Sequence, residues 1–275
     1  MYETKRDDIL DDFRRYLKVD HGLSEKTVDQ HRMMAAVFLD RCQDVLPEQS
    51  EAKNFQEQLM DKGYSNSHVN NTMNAVEYYY SFHDQEFDFK RLNRPKQLPE
   101  ILSANQVRRI IYACDTYRDY AIIKTLASSG IRASELCDLD VTDVDFEKRK
   151  LRIRDGKFGK DGIARISESC ADAIEKYLQQ RDAEHESLFL SRSENRLTRS
   201  GLLQIVKRRA RDADIDQRVT VHMFRHYFGT SMIENGADIS VVKALMRHED
   251  IAATMKYVHL SSEALDEQYD RYTDV

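Results

Sequence analysis

HMFRHYFGTSMIENGADISVVKALMRHEDIAATMKYVHL, residues 222–260, sets His222 and Arg225 three positions apart, then His248, then Tyr257 nine positions after that histidine. Positions three apart share a helix face, so His222 and Arg225 suit a hydrogen bond to one neighbouring carboxylate. His222 and His226 have a metal-compatible spacing, but Met223 stands where a zincin helix needs glutamate, so no metal is expected. Tyr257 is one of 14 tyrosines and on its own reads as packing. Singly, each residue has an ordinary explanation.

Upstream, SSGIRASELCDL (128–139) puts Arg132 just after Gly130, where a helical pattern over 120–139 breaks. Alone, Arg132 is a surface arginine or the partner of Glu135. KRKLRIRDGKFGKDGIARIS (148–167) differs from its surroundings. Leu151 and Ile153 alternate with Arg152 and Arg154, a turn rich in Gly and Lys comes next, and the apolar residues resume at Ile163 and Ile166. That pattern predicts a β-hairpin with Lys157 and Lys160 in a basic tip. From Glu168 to the end the pattern predicts helix.

The first third reads as four helices. Ser24 opens one whose apolar residues Val28, Ala35, Phe38, Leu39 and Cys42 fall mostly on one face. Gly63 closes another, and Val69, Met73, Val76 and Tyr80 recur at helical spacing as core. FDFKRLNRPKQLPE then brings Pro95 and Pro99 four residues apart, the mark of an extended linker. A new helix starts at Ser103, with Gln106 completing a capping box. The expected organisation is a helical domain over 1–93, a linker over 94–99 and a second domain over 100–275, mainly α with a small β-hairpin.

A chain of 275 residues is long enough for two cores. No apolar run is long enough to span a bilayer and no signal peptide opens the chain, so a soluble, cytoplasmic protein is expected. Four cysteines without paired spacing read as free thiols in a reducing compartment. The net charge of −6 argues against nucleic acid at first sight, but local distribution says more than the sum. Residues 148–165 carry eight basic and two acidic side chains, and 192–211 carry seven and one. Either run alone fits a solvated face. Two in one domain make a phosphate-facing surface the reading, with Lys148, Lys150, Arg152, Arg154, Lys207, Arg208 and Arg209 as DNA-contact candidates.

In order and spacing these segments resemble the tyrosine recombinases, the lambda-integrase-like family that includes Xer, Cre and phage integrases. The family pattern runs as an arginine in G-x-R-x-S-E-L, a lysine on a β-hairpin, H-x-x-R, a histidine in an L-G-H-like segment, and a tyrosine nine residues on. Here GIRASEL supplies Arg132, GKFGK supplies Lys157 or Lys160, HMFR supplies His222 and Arg225, LMRH supplies His248, and Tyr257 completes the set. Distance from Arg132 favours Lys157. The N-terminal part, through GLSEKTVDQHRMMAAVFLDRC and GYSNSHVNNTMNAVEYYYSF, resembles the family's SAM-like core-binding domain. Arg247 stands where the family has glycine, so a slightly different backbone is expected there.

The resemblance implies a DNA breaking-rejoining catalytic domain that forms a 3′-phosphotyrosyl intermediate. Its implied partners are double-stranded DNA with paired half-sites, accessory proteins, and copies of itself in dimers and a synaptic tetramer. The physical chemistry of phosphodiester exchange suits the residue set. Two forked guanidiniums, Arg132 and Arg225, fit the non-bridging oxygens on which charge builds. Imidazoles at His222 and His248 add hydrogen bonds and handle a proton. Tyr257 is the nucleophile, and the resemblance makes the hairpin lysine the acid for the 5′ oxygen. No cofactor is expected, since the chain has neither a GxxxxGK[ST] loop nor clustered carboxylates. Two other readings use the same features. A type IB topoisomerase shares the chemistry, and a silent DNA-binding regulator would need one catalytic position lost, which none is.

Overall fold

The computed structural model describes residues 2–93, 100–154, 161–182, 184–248 and 250–258. The chain divides into two compact units, Met1–Gln97 and Leu98–Val275.

Four helices build the first unit: α1 (Tyr2–Val19), α2 (Glu25–Cys42), α3 (Gln49–Asp61) and α4 (Asn66–Phe82). Ser24 and Ser65 cap α2 and α4 by accepting from the backbone N–H three residues on. The apolar faces of α2 and α4 meet, burying Val28, Phe38, Leu39, Val69, Met73, Val76 and Tyr80 with Phe13 and Leu17 of α1. Each such side chain contributes about 1.5–3 kcal/mol by leaving water. Tyr79 and Tyr80 also tie down the chain before α3, donating to the carbonyls of Val45 (2.6 Å) and Pro47 (2.8 Å). Beyond α4, Asn70 exchanges two hydrogen bonds with Leu92 (2.8 and 2.9 Å), and Phe87 and Phe89 are buried. The chain is therefore fastened to the bundle up to residue 92.

The second unit holds α5 (Ala104–Tyr112), α6 (Tyr117–Ser129), α7 (Ala133–Asp138), α8 (Glu168–Gln179), α9 (Arg199–Asp212), α10 (Val221–Glu234), α11 (Ile239–Met246) and α12 (Ala252–Val258). Ser103 and Gln106 form the expected capping box on α5. A three-stranded antiparallel sheet runs in the order β1 (Val144–Asp145), β2 (Lys150–Ile153), β3 (Gly162–Arg165). The sequence pattern did not reveal β1. Register sets Leu151 against Ala164, and both are buried. Ile163 therefore faces outward, 56% exposed. The tip of the hairpin lies outside the described residues.

Two further departures concern α8 and the segment that joins it to α9. The helical pattern expected from Glu168 onward stops at Gln179, and α9 begins only at Arg199. Between them the described chain is pinned by isolated bridges, Asp140 to Ser187 and Leu190 to Arg196. Arg181 also donates to the carbonyls of Ser187 and His185, both at 2.7 Å. These partners are distant in sequence or are backbone groups, which no periodicity reports. Helix α10 packs on α6, α11 and α12, gathering the site at its centre. Among the described residues no helix is long and apolar enough to cross a membrane.

Candidate active site

Gly130 ends α6 in the left-handed conformation (φ 60°, ψ 20°), and a Cβ there would lie 2.5 Å from the Phe228 ring. Glycine is thus required twice over, by backbone sign and by close approach. The turn it permits makes Arg132 the N-cap residue of α7. Glu135 accepts from the Arg132 backbone N–H at 2.9 Å and from its Nη1 at 2.6 Å. Arg225 comes from the buried side of α10 and is only 3% exposed. Its Nη1 donates to the Gly130 carbonyl and its Nη2 to that of Met246 at 2.6 Å. Arg132 Nη2 donates to the next carbonyl, that of Arg247, at 3.4 Å. The two guanidiniums therefore grip consecutive carbonyls at the end of α11.

Burial, and then the like charge of Arg132, push Arg225 down to about 10, so it stays cationic at neutral pH. An anion arriving between two such groups relieves their repulsion, and fixed donors of this kind need no reorganisation as charge develops.

Tyr257 lies on α12 with its ring fully buried among Phe228, Ile233, Val242 and Met246. A Cβ on Gly229 would come within 2.9 Å of this ring and of the Met246 sulfur, so the absent side chain on α10 is what seats the tyrosine. Burial raises the phenol to about 12 while Arg225 and Arg132 pull the other way. The His248 ring lies parallel to Tyr257, 13° between planes and 6.1 Å between centroids. Its Nδ1 is 2.8 Å from Thr254 Oγ1, one turn before the tyrosine, which fixes the imidazole. His226 sits 5.6 Å from the Tyr257 ring, and the exposed His222 sits 4.3 Å from His226.

The fold thus gathers Arg132, His222, Arg225, His248 and Tyr257 around α10. Lys157 and Lys160 lie outside the described residues. Arg247 takes φ 53°, ψ 46°, a left-handed conformation that suits glycine. Among the described residues no cluster of His, Cys, Asp and Glu suits a metal ion.

The basic runs divide. Lys148 and Arg152 are exposed on the β2 side, each with an acidic neighbour, Asp145 or Asp161. Arg154 pairs with Asp140 and Asp143, and Lys150 is half-buried. Lys207 and Arg208 are half-buried on α9, and Arg208 reaches Asp119 at 2.7 Å. Arg209 departs from the expected phosphate-facing surface. It is 3% exposed, with Asp119, Asp115 and Asp212 around its guanidinium at 2.7–3.0 Å. Sequence reading missed this because Asp119 is 90 residues away. It also missed Thr254 and Gly229 as positioning residues, and neither has a local signal that would have marked it. Glu135 was legible through its three-residue spacing from Arg132.

Residues 100–264 match the phage integrase family. Tyrosine recombinase XerA of Pyrococcus horikoshii is 31% identical over 275 residues, spanning 98% of this chain and 95% of that protein. Among solved structures, that of XerA recombinase is 28% identical with a TM-score of 0.60, covering 98% of this chain and 99% of that one. XerH site-specific recombinase bound to palindromic difH substrate, in a post-cleavage complex, shares the fold at TM-score 0.74 and 16% identity, covering 96% and 85%.

Proposed function

Because the chain belongs to the phage integrase family, that of the tyrosine recombinases, we propose that Tyr257 is the nucleophile with which it recombines DNA. The chain is a site-specific DNA recombinase that works by strand cleavage and rejoining. The observation that carries the assignment of residues is the seating of Tyr257 beside Arg225, Arg132 and the parallel His248 ring.

In this reading the Tyr257 oxygen attacks the scissile phosphorus, the bond to the 5′ oxygen breaks, and a 3′-phosphotyrosyl bond forms. A 5′ hydroxyl from another strand then attacks that phosphorus and releases the tyrosine. Bond energy is conserved, so no nucleotide is consumed. Arg132 and Arg225 offer their remaining guanidinium N–H groups to the non-bridging oxygens, and His222 and His248 donate hydrogen bonds and handle the phenol proton. Lys157 protonates the leaving 5′ oxygen, with Lys160 the neighbouring choice. The helical first unit binds the duplex, residues 94–99 link the units, and two half-sites are filled by dimers that pair into a tetramer.

A nicked duplex whose cleaved fragment diffuses away traps the covalent intermediate. The expected result is an adduct on the 3′ phosphate, mapping to the peptide with Tyr257, that transfers its strand to a second duplex. An adduct on Tyr269 or Tyr272 overturns the nucleophile. Relaxation of supercoiled DNA with no exchange between duplexes favours the topoisomerase reading.

The lysine role is tested by replacing the bridging 5′ oxygen with sulfur, which leaves without a proton. Lys157→Ala is expected to be slow on normal DNA and largely rescued on the sulfur-bridged duplex, with Lys160→Ala modestly slow on both. Rescue in Lys160→Ala alone moves the acid three residues along. Equal losses on both duplexes that shrink at low salt reduce both lysines to phosphate contacts.

A further inference from the structure

Arg247 holds a left-handed backbone (φ 53°, ψ 46°) that a side chain strains and glycine does not. Its side chain is engaged on three sides. Nη2 donates to Glu135 Oε2 at 2.6 Å, and Nη1 donates to the Leu245 carbonyl at 3.4 Å. Cδ lies 2.7 Å from the place a Cβ on Gly162 would take, at the first residue of β3. Its own carbonyl accepts from Arg132 Nη2.

Glu135 is therefore shared by two guanidiniums, with Oε1 serving Arg132 and Oε2 serving both the Arg132 N–H and Arg247. A buried carboxylate facing Arg132 alone would neutralise it and compete with an incoming phosphate. With Arg247 on the same carboxylate, Glu135 orients Arg132 while the trio keeps a net positive charge. Burial pushes the Glu135 carboxyl up, and Arg247 with Arg132 more than offset that, holding it ionised.

We propose that Arg247 is a positioning residue for cleavage: it holds Glu135, and through it Arg132, in the orientation that meets the scissile phosphate, and its stem seats the start of β3. This rests on the reading of Arg132 as a phosphate clamp.

The test is the single-turnover cleavage rate on the nicked duplex, with DNA affinity and Tm measured alongside. Arg247→Gly removes the backbone strain, so its Tm is expected within about 3 °C of wild type or above it. Affinity should hold while cleavage slows about 10- to 100-fold, as misplacement of a reacting clamp predicts. Arg247→Lys should recover part of the rate, because a point charge still reaches Glu135 without the fork. Gly162→Ala should also slow cleavage by displacing the Arg247 stem, and should add nothing in the Arg247→Gly background. Cleavage by Arg247→Gly within about twofold of wild type, or a Gly162→Ala loss that is equal in both backgrounds, overturns the inference. Arg132→Lys separates the two readings. If it cleaves normally, the clamp reading fails and this inference with it. If it is slow while Arg247→Gly is not, only the inference fails.

Discussion

Tyr257→Phe is expected to abolish covalent adducts, a loss of at least about 10⁴-fold in cleavage, while leaving DNA affinity near wild type. Phenylalanine keeps the ring that fills the space over Gly229 and against Met246, so the packing of α12 on α10 survives. Alanine at the same place would leave a cavity worth about 3–5 kcal/mol and confuse loss of chemistry with loss of fold. The environment of the hydroxyl explains why its neighbours matter as much as the group itself. With the phenol raised to about 12, roughly one molecule in 10⁵ is ionised at pH 7. Unassisted ionisation therefore supplies almost no nucleophile. The proton has to pass to a partner as attack proceeds, and in the proposed reading that partner is His248, whose ring lies parallel to that of Tyr257 and whose Nδ1 is held by Thr254. Adduct formation by Tyr257→Phe on the nicked duplex would remove Tyr257 from the mechanism altogether.

How far the sequence alone reveals this fold is set by the range of the forces involved. The apolar stripes of α2 and α4, the Ser103–Gln106 box and the break at Gly130 are local, each set by residues within a turn or two, and each is found where the sequence places it. The gathering of Arg132, Arg225, His248 and Tyr257 was legible only because their order and spacing resemble a known pattern. Nothing in helical periodicity brings Arg132 to the end of α11, 115 residues on. Where long-range partners decide the outcome, local reading failed. Arg209 looked like surface charge until Asp119 enclosed it. The alternation that marked the hairpin did not tell that Ala164 rather than Ile163 faces inward, which register decides. Gly229 carries no local signal, and its value lies in a ring that arrives from another helix.

Arg225→Lys is expected to slow cleavage by about 10²- to 10³-fold, the range for loss of one fixed donor at a developing charge. Two separable effects should add to it. The Arg225 fork satisfies the carbonyls of Gly130 and Met246 at once, deep inside the unit. A single ammonium matches one of them, and a buried carbonyl left without its donor costs about 1–3 kcal/mol of stability. The second effect is on charge. Burial and the neighbouring Arg132 lower Arg225 to about 10, while Glu135 and Tyr257 oppose and Arg247 adds to the lowering. Arginine starts high enough to remain a cation regardless. A lysine starts lower, near 10.4, and the same burial and like charge push it further down. A cation whose pKa is depressed is charged below that value and neutral above it. The ratio of wild-type to variant rates should therefore be smallest near pH 6.5 and widen as the pH rises toward 9. Such a widening separates loss of charge from loss of geometry, since a merely misplaced ammonium would give a ratio independent of pH. A flat ratio across that window would mean that the introduced ammonium keeps its proton, and that the site is better solvated than the 3% exposure of Arg225 implies.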